Sequence, residues 1–185
     1  FLVPTIPTRS MRCYSATNWR TLLATIAMSK TDGSAVSIDL SAIEALSGTL
    51  GGSILTASSD GYDEARVIWN AMIDKRPGMI VQCTSTDDVS KVVAFARAHA
   101  LLVSIRGGGH NIAGKSLSDG GMLIDLSGMT GVSVDAGAKT ATVGPGATLA
   151  DLDAATQAHG LITPTGINST TGVAGLTLGG GFGWT

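Results

Sequence analysis

Arg106-Gly107-Gly108-Gly109-His110-Asn111-Ile112-Ala113-Gly114-Lys115-Ser116 is the stretch from which the fold is read. It follows a short apolar run at 101–105 and precedes Asp119-Gly120-Gly121 and a second apolar run at 122–126. Residues 109–116 satisfy the GxxxxGK[ST] pattern of a nucleoside-triphosphate loop, in which the Lys and Ser must open a long helix facing the phosphates. Asp119-Gly120-Gly121 breaks any helix there and 122–126 reads as a strand, so the match is expected to be accidental. An ordinary glycine turn with an exposed His110 is the plainer reading. Recurrence argues against it: Gly144-Pro145-Gly146, Gly166, Gly172, Gly175 and Gly179-Gly180-Gly181-Phe182-Gly183 follow.

Upstream of the loop the pattern is regular. Arg76-Pro77-Gly78 breaks the chain before an apolar run at 79–83 that reads as a buried strand. Ser85 then caps a helix, with Asp88 reciprocating and Val89, Val92, Val93 and Ala96 on one face. His99 falls at the end of this helix, where the dipole favours positive charge. A strand at 101–105 completes a βαβ unit whose two strands are parallel. Earlier, Leu40, Ile43, Leu46 and Leu50 recur at helical spacing after Asp39 as a cap. Downstream, short strands are expected at 122–126, 132–135 and 140–143, then a helix at about 149–158 ended by His159-Gly160. The expected class is α+β: residues 1–35 poorly patterned, a small parallel βαβ subdomain over 36–105, and a mainly antiparallel subdomain over 106–185.

The chain has 185 residues, a formal net charge of -2 and only 14% charged residues. With no long basic run and 4% aromatic residues, it carries no phosphate-tracking or base-stacking surface for nucleic acid. No apolar run reaches the roughly 18 residues of a membrane span, which predicts a soluble protein with the cytoplasm as the favoured compartment. Residues 1–31 hold Arg9, Arg12, Arg20 and Lys30 and no acid, a composition like a transit sequence. Because the chain opens on Phe1, the simpler expectation is an incomplete record in which Met28 is a start preceded by upstream translation. Cys13 and Cys83 stand far apart without a Cys/His cluster, and Asp125 has no partner acids, so no metal site is expected. Asp125 reads as a strand-end carboxylate, and His99 and His159 as structural.

Glycine numbers 25, near twice the usual share of about 7%, and 19 of the 25 lie in residues 107–185. Apolar β-branched residues interleave with them, so the region is folded rather than a tether. Glycine is the residue that allows positive φ or close approach of the main chain, and repeated clusters of it point to a large ligand. Successive amides can form nests around a pyrophosphate without lysines. The Rossmann version fails, since the third glycine position after Gly144-Pro145-Gly146 is Leu149.

Taken in order, Arg106-Gly107-Gly108-Gly109-His110, Gly120-Gly121 with Ile124-Asp125-Leu126-Ser127, Val143-Gly144-Pro145-Gly146-Ala147, Gly172-Val173-Ala174-Gly175 and Gly179-Gly180-Gly181-Phe182-Gly183 resemble the FAD-linked oxidases of the berberine bridge enzyme type. These belong to the vanillyl-alcohol oxidase and p-cresol methylhydroxylase superfamily, and the resemblance spans about residues 66–185. It implies a p-cresol methylhydroxylase-type FAD-binding domain with FAD between the two subdomains. His110 would be bonded to the flavin 8α carbon, a role suited to neutral imidazole, whose reference pKa is about 6.5. The resemblance also implies Gly107, Gly108, Gly109, Asn111 and Gly114 around the pyrophosphate, with Gly144, Gly166, Asn168, Gly172, Val173, Gly175, Gly179 and Gly180 completing the cofactor set. Arg106 either neutralises charge or buttresses the loop.

Two departures qualify the resemblance. Many relatives hold the flavin a second time through a cysteine, but that position here is Asn168, so attachment through His110 alone is expected. Asn168 then either hydrogen-bonds the flavin ring or is a turn residue. The family's chains also run well past the Gly-Phe-Gly motif into a substrate domain, so this chain is expected to be an N-terminal piece. The complete enzyme would pass a hydride from a carbon bearing O or N of a small molecule to flavin, with O2 as electron acceptor. No catalytic base can be named in these residues. A phosphate-loop hydrolase using Lys115 and Ser116, and a non-catalytic flavin-binding remnant, are the rival readings.

Overall fold

The computed structural model describes residues 25–181 and 183; the N-terminal arginines, Cys13 and Phe182 lie outside these. In chain order the elements are β1 (Thr25–Ser29), β2 (Ala35–Asp39), α1 (Leu40–Ser47), β3 (Ser53–Leu55), α2 (Tyr62–Ala65), β4 (Met79–Gln82), α3 (Thr86–Ala98), β5 (Val103–Arg106), β6 (Met122–Asp125), β7 (Val132–Asp135), β8 (Thr140–Val143), α4 (Leu149–Gln157) and α5 (Val173–Leu178). Sheets and helices are mixed, as an α+β domain requires. The segment whose composition shows no pattern, 25–35, contributes β1 and the turn of an antiparallel hairpin with β2. Met28 and Ile38 of that hairpin are buried in the main core.

The central sheet runs β3-β4-β6-β5. β6 is parallel to both β4 and β5, with Ile80 opposite Leu123 and Arg106 opposite Asp125. The β4–α3–β5 crossover is therefore present, but β6 lies between its strands, and a subdomain boundary at 105/106 does not hold. The reason lies in the side chains. Met122, Leu123 and Ile124 are consecutive apolar residues, each no more than 1% exposed, and a strand apolar on both faces belongs inside a sheet. β5 alternates instead, burying Ser104 and Arg106 and leaving Ile105 59% exposed, so it takes the edge.

Each face of β4 and β6 has its own cover. Met79, Val81, Met122 and Ile124 pack with Val92 and Ala96 of α3, Ile43 of α1 and the hairpin. Ile80 and Leu123 meet Tyr62, Ile68 and Leu117 on the opposite face. Burial of each such side chain contributes about 1.5–3 kcal/mol. Ser85 caps α3 as its sequence suggests, its hydroxyl accepting from the Asp88 amide. Asp88 does not reciprocate: its carboxylate accepts from the amides of Gly51 and Thr84 and from the Thr84 hydroxyl, each at 2.9 Å. These bonds, led by the Gly51 amide, hold its pKa down to about 2. Val93 is 49% exposed, so the buried face of α3 runs through Asp88, Val92 and Ala96. Asp39 stands at the N-cap of α1 without a side-chain cap bond.

Beyond β6, β7 and β8 form an antiparallel hairpin. Leu149 and Leu152 of α4 and Val173 of α5 form a third small core against Val132 and Val143. Thr148 and Asp151 form a reciprocal capping box at the start of α4. Among the described residues no helix is long and apolar enough to cross a membrane.

Candidate functional site

The loop at 107–121 leaves the end of edge strand β5, and its first residue is fixed by an ion pair. Arg106 donates through Nε and Nη2 to the two carboxylate oxygens of Asp125, at 3.1 and 2.6 Å, while Nη1 donates to the carbonyls of Ala65 and Val67. Arg106 is 8% exposed and Asp125 2%. The guanidinium is thus spent on protein groups, which resolves its two possible roles in favour of buttressing. Removing one member of such a buried pair typically costs about 3–5 kcal/mol. Asp125 is indeed a strand-end carboxylate, and its partner is the loop's own arginine.

The glycines next in line are pressed against main chain. A Cβ on Gly108 would lie 2.5 Å from the Gly172 nitrogen, and one on Gly172 would lie 2.5 Å from the Gly108 nitrogen, so any side chain at either position forces the two backbones apart. Gly109 adopts φ +68, which L side chains rarely tolerate. Gly172 itself is pinned by a bridge to Thr148 and by the Val173 amide donating to the Ala147 carbonyl. Close approach is therefore partly chain to chain, and glycine density alone does not count ligand contacts.

The loop divides two clefts. On one side a cavity of about 380 Å³ is lined by Gly107 to Asn111, by Lys115 and Ser116, and across it by Thr171, Gly172 and Gly175. On the other, a more open cleft of about 570 Å³ is lined by Gly107 to His110 together with Trp69, Thr130, Thr148 and Thr170. Ser116 is 8% exposed, and its buried hydroxyl has no hydrogen-bond partner in the protein. An orphan hydroxyl beside a run of glycine amides and one exposed lysine suits the phosphates of a dinucleotide, which accept hydrogen bonds from all three. No helix lies between Arg106 and Met122, so the phosphate-loop architecture is absent.

His110 belongs to both clefts. Its ring stacks on Trp69 at 5.2 Å between centroids and 22° between planes, and its Nε2 lies 3.1 Å from the Thr170 hydroxyl. The segment carrying Trp69 braces the loop as well. The Trp69 amide donates to the Gly109 carbonyl, Asn70 to the Ile112 carbonyl, and Lys75 to the carbonyls of Gly114 and Leu117. Asn168 accepts from the amide and the hydroxyl of Thr170, the geometry of a turn residue. His99 packs against Phe95 at the end of α3 in a tilted arrangement, 4.5 Å between centroids and 48° between planes, a structural contact.

The structure thus gathers Gly107, Gly108, Gly109, His110, Asn111, Gly172 and Gly175 around the clefts. Gly114, Gly144, Gly166, Val173, Gly179 and Gly180 line neither. Gly114 packs on Ile73, Gly144 on the Met129 carbonyl, and Val173 sits in the third core. Sequence reasoning passed over Trp69 and Thr170 and met Ser116 only within an accidental motif. Trp69 is one of three tryptophans in a chain with 4% aromatic residues, and that scarcity is the only signal that marks it. Among the described residues no group of three or more His, Cys, Asp or Glu could hold a metal ion. Burial pushes the Cys83 thiol up to about 11, which leaves it unreactive.

A glycine cradle beside an imidazole, on an edge strand of a mixed sheet, defines a dinucleotide-binding domain distinct from the Rossmann type. Residues 77–185 match the family described as "FAD binding domain". The chain is 35% identical over 133 residues to (R)-6-hydroxynicotine oxidase of Paenarthrobacter nicotinovorans, a match covering 72% of this chain and 29% of that protein. The crystal structure of 6-hydroxy-D-nicotine oxidase from Arthrobacter nicotinovorans gives a TM-score of 0.71 at 34% identity, covering 74% of this chain and 30% of that one. The BBE-like 1 protein of Physcomitrella patens gives 0.69 at 30%, covering 76% and 31%. The chain belongs to this FAD-binding family of FAD-linked oxidases, with the p-cresol methylhydroxylase-type fold. It spans about 30% of the length of the relatives it matches.

Proposed function

We propose that this chain is the flavin-holding part of an oxidoreductase that takes a hydride from a carbon bearing O or N in a small molecule, with dioxygen as the electron acceptor. When bound, the isoalloxazine supplies the redox chemistry. The chain's own residues bind and orient. Gly107 to Gly109 and Asn111 offer main-chain donors, Ser116 gives its unpartnered hydroxyl to a phosphate, and Lys115 supplies a screened positive charge. The names of the nearby relatives, oxidases of 6-hydroxynicotine, support a small-molecule substrate. With Asn168 in the position where many relatives have a second attachment, His110 carries the flavin through a single bond.

The observation carrying this reading is His110, held by Trp69 and Thr170 where the two clefts meet. The test uses the full-length protein. Yellow colour and gel fluorescence that survive acid precipitation and disappear in His110→Ala are expected. Flavin released by acid from the unaltered protein would overturn the single bond. Magnesium-dependent nucleotide binding lost in Lys115→Ala would overturn the flavin reading. Bound flavin without turnover of any amine or alcohol would reduce the protein to a flavin carrier.

A further inference from the structure

Between Gly109 and Leu117 the glycine loop is held from behind by the segment 69–75, and every hydrogen bond across that contact runs the same way. The Trp69 amide donates to the Gly109 carbonyl, the Asn70 side chain to the Ile112 carbonyl at 2.7 Å, and the Lys75 Nζ to the carbonyls of Gly114 and Leu117 at 3.0 and 3.1 Å. Asn70 Oδ1 accepts from the Met72 amide, so its NH2 group is the end turned to the loop. Nearby Arg66 pairs with Asp63 and Asp74, and Arg76 with Asp63, whereas Lys75 places its charge on the two carbonyls. Among the described residues no loop amide from Gly109 to Leu117 donates back to the segment. Gly114 interlocks the two pieces: its φ is +65, and a Cβ there would lie 2.6 Å from Ile73 Cγ2.

We propose that the segment 69–75 is a clamp on the loop's carbonyls that shapes the loop into an anion-binding nest before a ligand arrives, with Lys75 as its principal positioning residue. The proposal rests on the flavin reading above, in which the anion is the diphosphate of FAD. A peptide unit is planar and trans, so a carbonyl drawn to one side turns the N–H of the next residue to the other. Holding the carbonyls of Gly109 and Ile112 therefore turns the amides of His110 and Ala113 away from the clamp, and neither amide has a partner among the described residues. The 380 Å³ cavity is on that far side: Gly107 to Asn111, Lys115 and Ser116 line it, and no residue of 69–75 does. A loop whose carbonyls are drawn backward presents amides forward, which is what an anion needs. Released from the clamp, carbonyl oxygens would share the forward face and repel a phosphate. Lys75 thus favours an anion that it does not touch.

The experiment titrates inorganic pyrophosphate into the full-length protein, produced without flavin in riboflavin-limited cells, and follows the heat of binding. Lys75→Met keeps the length of the side chain and removes its donors. Affinity should fall about tenfold, as it does when an outer partner that orients a binding group is lost. Lys75→Arg, which can still donate to both carbonyls, should recover most of it. The ratio between the unaltered protein and Lys75→Met should persist at 1 M salt, where the Debye length is about 3 Å, because orientation is not screened. Equal affinities would overturn the proposal, and so would a difference that vanishes in salt, which would reduce Lys75 to a bare charge. Should Lys75→Met not fold, Asn70→Ala, which frees the Ile112 carbonyl alone, takes its place: weaker binding supports the clamp and unchanged binding overturns it. The flavin reading fails separately. Pyrophosphate binding that depends on Lys75, in a protein that ignores FAD, supports the clamp and removes the flavin, whereas FAD binding without any pyrophosphate binding overturns the clamp and spares the flavin.

Discussion

The sheet built from β4 and β6 and the loops that follow β5 use opposite physical means. In the sheet, Met79, Ile80, Met122 and Leu123 are fully buried, and stability comes from what the side chains fill. Around the clefts, Gly108 lies against Gly172 with no room for a methyl group, and the geometry depends on side chains that are missing. Filling follows volume and tolerates repacking. Contact between two main chains tolerates almost nothing, because no side chain lies between them to rotate out of the way. The comparison teaches that damage should separate: core changes lower stability, while glycine changes lower cofactor retention first.

The largest expected effect is in the core. Leu123→Ala should destabilise by about 2–5 kcal/mol in urea unfolding, while the surviving folded molecules keep their flavin. Gly108→Ala should cost less, about 1–3 kcal/mol from overpacking, yet abolish flavin retention. Equal loss of retention per folded molecule in both variants would erase the distinction. Acid offers a milder probe of the first region. Asp88 is held at about 2, below its ordinary 3.8, by bonds to the segment preceding β3. Its contribution is complete above the ordinary value and fades as pH falls toward 2, by about 2 kcal/mol in all. Asp88→Asn should flatten that part of the stability profile. The smallest effect is expected at Gly175, where an added Cβ meets nothing within 4 Å. Gly175→Ala, inside α5, should leave stability unchanged or raise it by up to about 1 kcal/mol. Its methyl would enter the 380 Å³ cavity, so any weakening of flavin binding there reports the ligand alone.

Local pattern made much of this legible. The apolar run of β4, the capped and periodic α3, the strands β7 and β8 and the helix α4 follow from residues adjacent in sequence. The position of β6 does not, since nothing in Met122-Leu123-Ile124 states which strands will flank it. Only the comparison with β5, whose polar residues point inward, makes β6 the interior strand. β3 and α5 span three and six residues, too short to show a period. At the site, His110 and its glycines stood out because several motifs occur in order. Trp69 lies about forty residues from His110, and Thr170 sixty, so neither contact has a sequence signature. Arg106 was readable as a charge, whereas its partner Asp125 became readable only through the strand register.

The hairpin strand β1 joins the leading ends of β5 and β6, the second of which is where the loop returns to the sheet. The Ser29 carbonyl accepts from the Leu102 amide just before β5, and the Ser29 amide donates to the Gly120 carbonyl just before β6. One foot of the loop, at Gly120, thus rests on a sill made by a strand that touches neither cleft. Force or heat that peels β1 away would free that foot, so release of the cofactor should begin at the hairpin, remote from any atom that binds it.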